Sequence, residues 1–218
     1  NGAQIHGDML FLDPDNQLNL PGERDPLFVG ISFGNSYDGS CAMYAVGYAM
    51  DTFCKNSMRA LTAEKSRKHV GDPVEVSEWW SEILQQMGGM RDLLGEMILE
   101  ALDARMDFLS LPFDVEEFYT YLGLPDYLAR AAATTARNRS PREGGTVTDI
   151  NMWALHSGLT STLTHDFRGT NEVGLLKTYS QIARDILWNP QSIVSQVKME
   201  YENEQRRLAE EGHEEAEV

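Results

Sequence analysis

Residues Phe28–Met58 read FVGISFGNSYDGSCAMYAVGYAMDTFCKNSM. Leu27, Val29, Ile31 and Phe33 alternate with Gly30, Ser32 and Gly34, the two-residue period of a strand. After Asn35-Ser36-Tyr37-Asp38-Gly39 the alternation resumes, with Ala42, Tyr44, Val46, Tyr48 and Met50 set against Cys41, Met43, Ala45, Gly47 and Ala49. Two such runs around so much turn chemistry predict an antiparallel hairpin, with Asp38-Gly39 supplying the positive-φ position. Gly30, Gly34, Ala45, Gly47 and Ala49 predict one nearly bare face that a helix or another backbone can approach.

Upstream, a strand-like opening leads to the short apolar run Met9–Leu12, which Asp13-Pro14-Asp15-Asn16 stops with a turn. Leu18–Pro26 reads as loop. Downstream the period changes. Trp80, Ile83, Leu84, Met87, Leu94, Met97, Ile98, Ala101 and Leu102 recur at helical spacing from Val76 to about Phe108. Ser77 is the expected N-cap. Gly88-Gly89 predicts a kink or a close crossing, each glycine costing about 1 kcal/mol against alanine. Trp79-Trp80 reads as one core and one rim residue.

Asp114–Leu122 and Asp126–Ala136 predict two shorter helices, split by Gly123 and Pro125. Arg137–Gly145 reads as a basic loop. Helices are then expected over Thr148–His165, Asn171–Trp188 and Gln191–Glu211, the last started by Pro190. Strands come first and helices after. The expected class is therefore α+β: a small antiparallel sheet (the hairpin) packed on a long helix, followed by a helical bundle. Residues 1–200 are read as one domain, with strands within 8–56 and helices within 76–200. Residues 201–218 are read as an acidic C-terminal helix end or tail.

The formal charge is −16, from 18 Lys and Arg against 34 Asp and Glu. Such a balance fits a salt-adapted organism or an acidic protein of a GC-rich genome. Its field repels nucleic acid, so any DNA binding needs a local basic patch. Glu200–Val218 holds eight glutamates against Arg206 and Arg207. Two windows are instead poor in acid. Lys55, Arg59, Lys65, Arg67 and Lys68 share theirs with Glu64 alone, and Arg130, Arg137, Arg139 and Arg142 lie in a stretch with no carboxylate. Either the two windows line a groove for single-stranded DNA, with Tyr44, Tyr48 and Tyr127 as stacking faces, or they pair with the chain's own carboxylates.

Cys41 and Cys54 are too few for a disulfide framework and point to a reducing compartment, cytoplasmic or within a virus particle. No apolar run approaches the length of a bilayer span, so no membrane partner is expected. The opening at Asn1 predicts a fragment or processed product.

Two blocks carry a resemblance. The first is Asn35-Ser36-x-Asp38-Gly39-Ser40-x-Ala42 followed by Cys54-x-Asn56. The second is Trp153-Ala154-Leu155-x-x-x-Leu159-Thr160 followed by Leu163-Thr164-His165. In order and spacing the pair resembles the phage- and plasmid-like family catalogued as domain of unknown function 932, over roughly Asp8 to Leu187. The resemblance marks Asn35, Ser36, Asp38, Gly39, Cys54, Asn56, Trp153, Thr160 and His165 as motif residues and implies a mobile-element protein. Asp51 stands where the family tends to carry arginine, Ser57 follows Asn56 in place of glycine, and Ser157-Gly158 replaces Asn-Ala.

Catalytic signals are sparse. Asp38 reads as a turn residue or as a catalytic or metal-binding carboxylate. Cys54 with His69 or His165 reads as an inert strand-end cysteine or as a nucleophile pair, although nothing local activates a thiolate. His156 and His165 lie two and a half helical turns apart and face opposite sides. His165 is read as a helix-end cap. Gly144-Gly145-Thr146 lacks the lysine of a phosphate loop. No cofactor, metal or catalytic residue is therefore assigned. The expected function is a single-stranded nucleic-acid-binding or annealing accessory acting as a homo-oligomer. The alternatives are a self-assembling protein of a virus-like or ring-shaped particle, and a hydrolase built around Asp38.

Overall fold

A computed structural model describes residues 4–19, 26–36, 42–51, 56–67, 73–87, 89–167 and 173–216. The fold is α+β, with small antiparallel sheets and a helical bundle. The chain divides into two compact units, residues 1–99 and 100–218.

In the first unit, β1 (Gln4–Leu10), β2 (Gln17–Leu18), β3 (Leu27–Ser36), β4 (Met43–Asp51) and β5 (Asn56–Arg67) form one sheet. The order is β1-β3-β4-β5, with β2 also paired to β3 and every pairing antiparallel. The expected hairpin is there: Leu27 pairs with Asp51 and Gly34 with Tyr44. Residues 37–41, including Asp38 and Gly39, for which a turn is expected, lie outside the described residues. Between β1 and β2, Asp13 caps a short 3₁₀ turn by accepting from Asp15 N at 3.1 Å, as its turn chemistry predicts.

The bare face is a misreading. Register sets each small residue beside a large one: Gly30 against Tyr48, Gly34 against Tyr44, Ile31 against Gly47, Phe33 against Ala45. The small residues thus divide between both faces, and large neighbours fill the gaps. A Cβ at Gly30 would stand 2.8 Å from the Tyr48 ring, and one at Gly7 2.7 Å from the Phe33 ring. Leu27, Val29 and Ile31, all buried, mark the apolar face.

The long helix is also corrected. It is two helices, α1 (Pro73–Met87) and α2 (Met90–Asp103), parted between Met87 and Met90. The helix starts at Pro73, whose missing N–H costs nothing there, so Ser77 is interior rather than a cap. The Ser77 carbonyl accepts from Ser81 Oγ at 2.9 Å. Trp79 is buried and Trp80 half-buried, and Trp80 sets its edge on Phe33 with ring centroids 5.8 Å apart. Gly95 lets α2 approach Leu18, and Arg91 Nε donates to the Gln17 carbonyl at 3.2 Å.

The strand β5 was not anticipated. Its sequence, NSMRALTAEKSR, has no apolar alternation and is rich in helix formers. The backbone ladder to β4 holds it as a strand.

The second unit opens with β6 (Arg105–Asp107), where the sequence still read helix. Then follow α3 (Val115–Tyr121), α4 (Asp126–Arg139), β7 (Asp149–Asn151), α5 (Met152–His165), α6 (Val173–Trp188) and α7 (Pro190–Ala216). β6 and β7 pair antiparallel, Met106 against Ile150. Asp114 caps α3 in a full capping box, accepting from Glu116 and Glu117 N at 2.8 and 2.9 Å while Glu117 reaches back to Asp114 N at 2.7 Å. Asn151 caps α5 through Ala154 N at 2.7 Å, which is why that helix starts after residue 148.

α4 and α5 cross closely. Ala132, Ala133 and Ala136 are fully buried on α4, and Gly158 of α5 meets Ala132 and Ala136. A Cβ at Gly158 would lie 2.5 Å from the Ala132 carbonyl oxygen and 3.0 Å from Tyr119 Oη. Tyr119 Oη donates to the Leu155 carbonyl at 2.6 Å, and burial pushes its phenol well above the ordinary value. α7 is held by Tyr201, which packs with Phe113 and Tyr121, and by Glu204, which accepts from Tyr121 Oη at 2.6 Å. Beyond Glu204, residues 205–211 are all exposed, so the acidic C-terminus is the continuing end of this helix.

Gly158→Ala should drive α4 and α5 apart and cost about 1–3 kcal/mol, the usual range for overpacking. Urea unfolding followed by far-ultraviolet circular dichroism measures it.

Candidate functional site

The second basic window is built into a helix end and turn of its own unit, and of its four arginines only Arg139 is buried. The expected loop over Arg137–Gly145 is instead the end of α4, a 3₁₀ turn at Ser140–Glu143, and Gly144 in the left-handed region with φ 76°. Arg105 clamps that turn, donating from Nη2 to the Glu143 carbonyl at 2.9 Å, with Asp149 3.6 Å from Nη1. Arg130 pairs with Glu116 at 3.3 Å, Arg137 with Asp114 at 3.1 Å, and Arg139 with Glu143 at 2.7 Å. Arg142 is exposed. The carboxylates come from α3 and from just past the window, so a count of charges within the window could not see them.

Arg139 and Glu143 carry the tightest constraint. Their side chains are only 8% and 0% exposed. The Arg139 guanidinium lies 5.2 Å from the centroid of Trp153, a cation–π distance. Trp153 stacks on His156, with centroids 5.7 Å apart and planes inclined by 21°. His156 Nδ1 stands 2.7 Å from the Ala183 carbonyl oxygen of α6. Burial, reinforced by the nearby Arg139 charge, holds the imidazole down to about 4, against the carbonyl contact that favours its proton. Thr160 donates to the His156 and Ser157 carbonyls at 3.1 and 3.2 Å. His165 lies exposed in the last turn of α5, on another side from buried His156, as their spacing predicts.

The Trp-centred block is thus a packing motif in which Trp153, His156 and Thr160 are buried. The neutral imidazole is out of reach of any solvent-borne substrate, so the cluster supports structure rather than acid–base chemistry. Sequence reasoning gave His156 no such role. The signal was its three-residue spacing from Trp153, which puts both on one face of α5.

In the first unit, Arg59, Lys65 and Arg67 lie on edge strand β5. Lys55, Lys68, His69 and Cys54 lie outside the described residues. Register pairs Arg59 with Tyr48, Lys65 with Ala45 and Arg67 with Met43. The register shifts between Gly47 and Ala45, so Leu61 to Glu64 stand opposite Val46 alone. The positions of Tyr48 and Ala45 belong to opposite faces of β4. The shift therefore puts the register positions of Arg59 and of Lys65 and Arg67 on different sides.

Tyr48 is 1% exposed and is no stacking platform. Burial first, and Asp8 second, push its phenol up to about 12. Tyr44 is half-buried and Tyr127 exposed. Of the first motif block, Asn35 Oδ1 accepts from Ser36 N at 2.8 Å, Ser36 is buried, and Asn56 opens β5 opposite Asp51. The two basic windows belong to different units.

No protein-family model, curated protein or solved structure matches the chain. Among the described residues no cluster of three or more His, Cys, Asp or Glu side chains is placed to hold a metal ion. Among the same residues no helix is long and apolar enough to cross a membrane.

Arg139→Met should destabilise the second unit by about 3–5 kcal/mol, because it strands the Glu143 carboxylate in the interior. The double variant Arg139→Met/Glu143→Leu should recover most of that loss. Exposed Arg130→Ala should change stability by under about 1 kcal/mol. Denaturant midpoints of the three variants, compared with the parent chain, measure the ordering.

Proposed function

We propose that the protein is a nucleic-acid-associated accessory of a mobile genetic element and that β5 is its anion-binding element. The supporting observation is one of charge placement. In a chain of net charge −16, Arg59, Lys65 and Arg67 sit on one edge strand whose window contains the single carboxylate Glu64. In the other window Arg130, Arg137 and Arg139 form ion pairs within their own unit.

Register positions on both sides of β5 suit a phosphate backbone running along the sheet edge more than a groove on one face. A flexible single strand can follow such an edge, and its affinity falls with added salt. The resemblance to phage- and plasmid-like proteins points the same way.

A second reading is self-assembly. Among the described strands β5 ends the order, and such an edge is a template for another strand. Edge-to-edge pairing of two copies through β5 would bring like charges together, which disfavours this route.

Filter binding of a labelled oligonucleotide at two salt concentrations tests the proposal. Retention at low salt is expected. Arg59→Gln/Lys65→Gln/Arg67→Gln should weaken it and flatten the log–log salt dependence by about 2, at about 0.7 per phosphate contact for single strands. No retention at low salt, or an unchanged slope in the triple variant, overturns it. A single-chain mass by light scattering, with and without nuclease, overturns the self-assembly reading.

A further inference from the structure

We propose that His156 is an acid-released latch between α5 and α6. The Ala183 carbonyl oxygen, 2.7 Å from Nδ1, can only accept a hydrogen bond. Nδ1 therefore carries the proton, and the lone pair of the neutral ring sits on Nε2. Nε2 is enclosed and meets no hydrogen-bond partner among the described residues. The residue is 3% exposed and lies against Trp153.

A second proton would put a second cation into an interior that already holds Arg139. From α4 and the 3₁₀ turn, the charged groups there are Arg139 and Glu143, already joined at 2.7 Å. From α5 there are none beside the ring, since the helix's other ionisable side chain, His165, lies exposed in its last turn on another side. From α6, Ala183 is followed by Arg184 and Asp185, which pair with each other at 3.3 Å, and Tyr179 lies buried one turn earlier. No uncommitted carboxylate is described beside the ring. The imidazolium gains hydration only when α6 draws away from α5.

The closed state favours the neutral ring, with its titration lowered from 6.5 to about 4. Its stability is therefore complete above pH 6.5 and falls as pH drops toward 4. Across that window the open state binds one more proton, so the opening constant should rise about tenfold per pH unit. Taken from well above 6.5 to well below about 4, the full rise is about 300-fold.

The test is amide hydrogen exchange of α5 and α6, corrected for intrinsic rates, from about pH 7 to about pH 4. Parent and His156→Asn proteins are compared, with the parent imidazole titrated by nuclear magnetic resonance. Asparagine keeps a donor for the Ala183 carbonyl and takes up no proton in this range. The parent should lose protection around Ala183 as pH falls, while His156→Asn should lose much less. The parent imidazole should titrate far below 6.5. The same pH dependence in both proteins, or an imidazole that titrates near 6.5, overturns the latch. Should His156→Asn fail to fold, the imidazole titration alone decides.

Discussion

A guanidinium in a protein interior must be met by a counter-charge, and in the second unit that requirement organises the surroundings of Arg139. Its partner Glu143 lies one turn on, and the 3₁₀ turn between them brings the carboxylate back within 2.7 Å. Left-handed Gly144 then turns the chain toward β7, which leads into the Asn151 cap of α5. Trp153 enters directly after that cap and lies against the guanidinium, and His156 stacks on Trp153. The pair need not add stability over an apolar substitute, but losing one half alone is costly.

The sheet of the first unit obeys a steric constraint instead. From Gly30 to Gly34 its central strands set large residues against small ones, so that Tyr48, Ile31, Phe33 and Tyr44 each have a glycine or alanine across the ladder. The small residues do not open a docking surface; they make room for rings. Tyr48 over Gly30 is the clearest instance, and it removes from solvent a ring that would otherwise have been available for stacking.

These constraints narrow the functional reading. Of the two cation-rich windows, Arg130 to Arg142 serves largely to join α3, α4 and the following turn. The other window falls on a strand that sequence alone did not mark, where Arg59, Lys65 and Arg67 follow the ladder to β4. A polyanion reading therefore rests on a sheet edge rather than on a groove between two loops.

Much of the architecture was legible in the sequence. The alternation of Leu27 to Met50, the glycine pair at 88–89, the turn chemistry that begins at Asp13 and the helical periods of the second half are local signals, and the α+β class followed from their order. The partnership of Arg137 with Asp114, the burial of Arg139, and the neutral imidazole of His156 were not legible. Nor was β5, whose helix-forming residues yield to a backbone ladder. Propensity and period act over a few residues, whereas ion pairing, burial and strand register are fixed by atoms that only the folded chain brings together.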